Sequence, residues 1–161
     1  IGDMTAYFLA LDAEIEFNTG RILPLKDFYL GYKQMDRREN EYIKKIRFQK
    51  GFTHFNFEKV CKRTFLDIAS VNTAIGLKVA DNQIEQAHIS CGGVFATPLY
   101  LRKTSAFLQG KEICEETIAA AIEILQGEIA PISDVRGTAE YKSLLAKQLF
   151  KAHFIELFGV G

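Results

Sequence analysis

The chain has 161 residues, enough for one ordinary domain or two small ones, and 48% are hydrophobic, with thirteen Phe and six Tyr to fill a core. Lysine plus arginine total 20 and aspartate plus glutamate total 20, so net charge draws the chain neither to nucleic acid nor to an anionic membrane. No signal peptide or run of about eighteen apolar residues is visible.

The basic runs Lys33–Arg38, Lys44–Lys50 and Lys59–Arg63 are balanced by acids elsewhere and read as solvated faces. Cys61, Cys91 and Cys114 are odd in number, far apart and without CxxC spacing. That pattern supports no disulfide framework, zinc site or iron–sulfur cluster, and fits free thiols in a reducing cytoplasm.

In chain order, Met4 to Leu11 reads as a short helix with Asp3 as its N-cap. Ala13, Ile15 and Phe17 alternate with Glu14, Glu16 and Asn18, the pattern of a half-buried strand. Asn18-Thr19-Gly20 is a turn, Arg21 to Leu25 the returning strand, and Asp27 to Gly31 an aromatic-rich helical turn. Glu41 to Gln49 reads as a strand with Tyr42, Ile46 and Phe48 on one face and Ile43, Lys45, Arg47 and Gln49 on the other. Gly51 marks the break, giving residues 1–50 and 51–161 as two units.

Past the break, strands are expected over Thr53 to Lys62, Val71 to Val79 and Gln83 to Gly92, with Ala80-Asp81-Asn82 as a connecting turn. Val71, Thr73, Ile75, Leu77 and Val79 form one face. Thr97-Pro98 supplies an N-cap and first residue for a helix ending near Gly110. A second helix places Ile118, Ile122 and Leu125 on one face and stops at Gly127, before Pro131. The third starts at Thr138, after the Gly137 pivot. Its stripes are Tyr141, Leu145, Leu149, Ala152 and Ile155, and Phe150, Phe154 and Leu157, which together predict burial on more than one side. The fold class is α+β: a three-stranded antiparallel sheet with three helices against one face.

Few residues point to chemistry. Lys59 shares a strand face with Phe55 and Phe57, so its ammonium either snorkels out at the strand end or meets an anionic partner. Ile43 stands among polar neighbours, and an exposed isoleucine alone needs no explanation. Asp67 pairs with Arg63 or caps a turn, and Gly92-Gly93 ends a strand where two backbones approach. His54, His88 and His153 lie on different elements without a carboxylate at ligand spacing. There is no GxSxG, no catalytic cysteine setting and no carboxylate pair for hydrolysis, so no catalytic or metal-binding residue is assigned.

Four ordered segments carry a resemblance. They are Ile1-Gly2-Asp3, RILPLKDFYLGYKQMDRRENE from Arg21 to Glu41, KVCKRTFLDIA from Lys59 to Ala69, and SDVRGTAEY from Ser133 to Tyr141. Together they resemble the C-terminal part of the flavin (FAD-binding) domain of xanthine dehydrogenases and related molybdenum hydroxylases, including the carbon monoxide dehydrogenase flavoprotein C-terminal domain. The first resembles the end of that family's SPIGD turn. The resemblance implies that residues 1–50 are the remnant of an FAD-binding subdomain and 51–161 the C-terminal flavin subdomain. It also implies that Asp3, Tyr42, Ile43 and Lys59 are the cofactor-binding positions, with Lys59 at the flavin ring and Tyr42 and Ile43 packing beside it.

The expected function is that of an FAD-dependent oxidoreductase segment in purine catabolism. It would pass electrons from iron–sulfur clusters through FAD to NAD, with molybdopterin and [2Fe-2S] groups on partner segments or subunits and a cytoplasmic location. Alternatives are the medium flavoprotein subunit of a carbon monoxide dehydrogenase-like or other molybdenum hydroxylase, and a non-catalytic subunit-docking domain. The family's pyrophosphate loop lies upstream of SPIGD, so this segment alone is expected to bind FAD poorly, to be inactive and to self-associate through its open apolar faces.

Overall fold

The computed structural model describes residues 2–48 and 50–161, so Ile1 and the expected strand end Gln49 lie outside the described residues. The α+β class holds. The main sheet is antiparallel and ordered β6-β7-β8-β9, from β6 (His54–Val60), β7 (Val71–Ala80), β8 (Gln83–Gly92) and β9 (Leu99–Tyr100). Asp81 and Asn82 both take positive φ, 48° and 61°, and close the β7–β8 hairpin with the turn geometry that suits strand twist. Short β9 is an addition to the expected three strands. Leu99 and Tyr100 pair with Cys91 and Ser90, so Thr97-Pro98 does not open a helix. That helix, α3, spans Arg102–Leu108 instead.

Three helices cover one face of this sheet: α3, α4 (Glu115–Glu128) and α5 (Ala139–Phe158). The odd-numbered face of β7 supplies Val71, Ile75 and Leu77 to a core completed by Ile89, Leu125, Phe150 and Phe154, all fully buried. Burying each large side chain is worth about 1.5–3 kcal/mol, so this layer dominates stability. Thr138 caps α5 as expected, its Oγ1 accepting from the Tyr141 amide at 3.2 Å, and Gly159 ends the helix in the left-handed conformation at φ 68°. Gly137 is required at the pivot, since a Cβ there would stand 2.6 Å from Tyr141 Cδ1.

The buried face of α5 differs from the expected stripes. Lys142, Ala146, Leu149, Phe150, His153 and Phe154 point inward, while Tyr141 and Ile155 are exposed. The helix rotates toward Phe150 and Phe154, and the polar residues on that side are buried with them.

The other face of the sheet carries α1 (Asp3–Ala10). The carbonyl of Ala10 lies over Gly76, Ser90 Oγ donates to Ala6 O at 2.6 Å, and the Tyr7 ring packs on Phe55 at 4.5 Å. A smaller sheet ordered β2-β1-β5 forms from β1 (Glu14–Phe17), β2 (Ile22–Pro24) and β5 (Ile43–Arg47). Leu9, Ile15, Phe17, Leu25 and Phe28 make its separate apolar core. The expected helical turn over Asp27 to Gly31 is shifted: Leu25–Phe28 is the helical turn α2, and Tyr29–Gly31 is strand β3, paired with β4 (Gln34–Met35). Among the described residues no helix is long and apolar enough to cross a membrane.

Candidate functional site

Three strands put residues 59, 72 and 92 in one row. Lys59 lies opposite Asn72 on β6 and β7, and Asn72 lies opposite Gly92 on β8. All three share the sheet face that α1 covers, and Asp3, the first residue of α1, completes the group. Lys59 Nζ donates to Asp3 Oδ2 at 2.7 Å and to the Asp67 carbonyl at 2.8 Å. Asn72 Nδ2 donates to Asp3 Oδ1, also at 2.7 Å. The Asp3 carboxylate is therefore divided between an ammonium and an amide.

This overturns the N-cap expectation for Asp3. Gly2, which has no side chain to offer, occupies the cap position of α1, and both Asp3 oxygens are engaged across the sheet. Lys59 takes the anionic-partner alternative. The Asp3 hydrogen bond holds its ammonium above the ordinary lysine value, against the opposing pull of burial. An ammonium has three donors, and two have protein acceptors. With 27% of the Lys59 side chain still exposed, the third can serve a ligand.

Asn72 and Gly92 carry no sequence pattern that marks a site. The strand VNTAIGLKV drew attention to its odd-numbered apolar face, whereas the asparagine belongs to the other one. Asn72 is fully buried, and among the described residues its Oδ1 has no hydrogen-bond partner. A Cβ at position 92 would fall within 3.0 Å of that oxygen, so Gly92 makes room for a side chain rather than for a second backbone. The close backbone approach occurs at Gly76 instead.

Two loops frame the Lys59 end. Arg63 N donates to Asp67 Oδ2 at 2.9 Å and the Arg63 guanidinium lies 3.5 Å from Oδ1, so Asp67 both pairs and caps. Lys62 Nζ donates to Val135 O at 2.7 Å, Arg136 Nη1 to Ile68 O at 2.9 Å, and Ser70 Oγ to Arg136 O at 3.0 Å. Lys142, 1% exposed, anchors the second loop from below through Asp134 Oδ2 at 2.7 Å and Ile132 O at 2.9 Å. That contact holds the Asp134 carboxyl below its ordinary value. The segments KRTFLDIA and SDVRGT thus form one clasp beside Lys59.

Ile43 opens β5, and Tyr42 directly precedes it. Both are exposed, and among the described residues no hydrogen bond or ion pair joins them to Asp3 or Lys59. A register shift between Glu16 and Phe17 sets Ile43 opposite Phe17 and Ile46 opposite Ile15, so Ile43 and Ile46 share a face. Strict alternation had separated them, and the bulge removes one step.

A cleft of about 740 Å³ lies near the far end of β6, lined in part by Lys26, Arg47, Phe52, Lys78 and His88. Three of its cations are engaged: Lys26 with Asp12 at 2.7 Å, Lys78 with Glu85 at 2.8 Å, and Arg47 with Glu16. Burial keeps His88 below the usual histidine value although Asp12 stands 3.7 Å away.

Comparison with known proteins gives a consistent picture. A family model described as the CO dehydrogenase flavoprotein C-terminal domain matches residues 57–157. Xanthine dehydrogenase 1 of Arabidopsis thaliana is 27% identical over 96% of this chain and 12% of its own length. The carbon monoxide dehydrogenase medium chain of Hydrogenophaga pseudoflava is 29% identical over 92% of this chain, which spans 53% of that relative. The structure of carbon monoxide dehydrogenase from Hydrogenophaga pseudoflava lacking the Mo-pyranopterin moiety superposes with a TM-score of 0.86 at 27% identity, over 95% of this chain and 55% of the other.

Proposed function

Because the chain belongs to the CO dehydrogenase flavoprotein C-terminal domain family, we propose that it forms the C-terminal part of the FAD-binding domain or subunit of a molybdenum hydroxylase. The observation that carries this is the Lys59 ammonium, fixed by Asp3 and Asp67 with one donor to spare. That donor suits the electron-rich pyrimidine edge of a flavin ring. The orphaned Asn72 Oδ1 and the bare Gly92 beside it are consistent with a site organised around Asp3 and Lys59. FAD, when bound, supplies a carrier that takes up and releases electrons. The chain's own residues do the holding: Lys59 offers a charge-assisted donor, Asp3 keeps that donor in place, and exposed Tyr42 and Ile43 offer apolar surface.

In this reading residues 1–50 and 51–161 are two subdomains, each with its own apolar core, and α1 is the element of the first that docks on the sheet of the second. The partners are molybdopterin-binding and [2Fe-2S] segments or subunits, in the cytoplasm. Xanthine-type oxidation with NAD as acceptor is the reading we put forward. The medium-chain relatives give a CO dehydrogenase-like or other hydroxylase equal support.

The test uses the intact flavoprotein containing this chain. Lys59→Ala should weaken FAD binding about tenfold to a hundredfold, or lower the flavin midpoint potential. Glu58→Ala, on the opposite strand face, should change neither. An intact parent that binds no FAD would support the docking-domain reading instead.

A further inference from the structure

Resting on the flavin reading above, we propose that Asn72 is a positioning residue for Lys59, acting through Asp3, and that Gly92 is what admits it. The row Lys59–Asn72–Gly92 crosses three strands, and Asp3 sits over its first two members. Asp3 occupies the first turn of a helix, where unpaired backbone N–H groups and the helix dipole both attract a carboxylate. It does not turn toward them. Asn72 holds Oδ1 and leaves Oδ2 facing Lys59, both contacts at 2.7 Å.

The asparagine can do this only in one orientation. Its Nδ2 must face the carboxylate, because two oxygens would repel. Oδ1 is then driven against β8, where it finds no donor. A residue with a Cβ at position 92 would meet it within 3.0 Å, so the glycine is the matched half of the arrangement. A buried amide left half-satisfied is costly to keep. Here that arrangement holds the Lys59 ammonium against Asp3 Oδ2, with the Asp67 carbonyl as its second acceptor.

The first measurement uses the intact flavoprotein stripped of cofactor. With ¹³Cε-labelled lysine, the Lys59 signal is followed by NMR across alkaline pH in the parent, Asn72→Ser and Gly92→Ala. In both variants Lys59 should titrate at lower pH than in the parent, and acylating reagents should modify it severalfold faster at fixed pH. Gly92→Ala keeps the amide but displaces it, so it decides the matter if Asn72→Ser does not fold. A folded variant with lowered stability but parental Lys59 titration would overturn the positioning role.

The second measurement adds FAD. Asn72→Ser should weaken binding roughly threefold to tenfold in the parent background and not at all on top of Lys59→Ala, the non-additivity expected of residues acting as one unit. Full additivity would also overturn the proposal. If Lys59→Ala alone leaves FAD binding and potential unchanged, the flavin reading fails, while the cofactor-free titration still judges the Asn72–Asp3–Lys59 relay.

Discussion

Gly76 on β7 faces the carbonyl oxygen of Ala10 so closely that a Cβ at position 76 would fall within 3.0 Å of it. The neighbour is backbone, not the end of a flexible side chain, so the helix itself would have to move. Gly76→Ala should therefore lower stability by about 1–3 kcal/mol, the usual range for overpacking. Because α1 begins with Asp3, the same variant should also loosen the Asp3–Lys59 contact. Urea unfolding with an unchanged slope, combined with faster acylation of Lys59, would report both effects.

His153 supplies a pH dependence with a definite sign. Its Nε2 meets Thr73 Oγ1 at 2.8 Å, its Nδ1 has no partner among the described residues, and burial pushes its pKa down to about 3. The unfolded chain takes up a proton near the ordinary value of 6.5, which the folded chain refuses. Stability is thus complete above 6.5 and falls as the pH drops toward about 3, by roughly 1.4 kcal/mol per pH unit. His153→Gln should flatten this slope between pH 4 and 6, measured by urea midpoints at each pH.

Glu41 acts in a lower window. Its carboxylate accepts from Arg21 at 2.7 and 3.1 Å, from the Arg38 amide at 2.8 Å and from Thr19 at 2.9 Å, and the Arg21 contact leads in holding it down to about 2. A depressed carboxylate stabilises the fold above its unfolded value of 4.5, and that contribution is lost as the pH falls through about 2. Glu41→Gln should lower the melting temperature at neutral pH and bring the variant and parent curves together under strong acid. Parallel curves would contradict this.

Lys142 and Asp134 should respond unequally to mutation. Lys142→Met replaces a buried ammonium with a side chain of similar shape, and should change stability by less than about 1.5 kcal/mol. Asp134→Ala leaves the buried charge without its partner and should cost more. Both variants release the second loop of the clasp, so trypsin should cleave after Arg136 faster in each than in the parent.

The main sheet was legible because period-2 alternation runs unbroken through Val71 to Val79, and Asp81-Asn82 is strong turn chemistry. The N-cap of α5 at Thr138 was legible for the same local reason. Other features depended on distant partners. Lys142 and His153 look like surface residues until Asp134 and Thr73 are placed beside them. Asp3 reads as a cap because sequence shows only its own helix, while its acceptors serve β6 and β7. The bulge at Glu16/Phe17 leaves no mark in the composition of Glu41 to Phe48, so the side of Ile43 could not be counted off. Lys59 was the exception: an ammonium on an apolar face demanded a partner, and the fold supplies Asp3.

The clasp beside Lys59 also has a consequence in time. Its three cross-loop hydrogen bonds join residues 66 to 73 positions apart in sequence. During synthesis from the N-terminus, β6 emerges well before the residues that secure the Asp67 loop exist. Lys59 therefore gains a fixed second acceptor only once α5 has docked and drawn residues 131–137 into place. A nascent chain without residues 131–137 holds Lys59 beside an Asp67 loop that still lacks its partner loop. Removing residues after Gly127 should leave the β7–β8 hairpin pairing detectable by hydrogen exchange while the Lys59 ammonium titrates like a loosely held surface lysine.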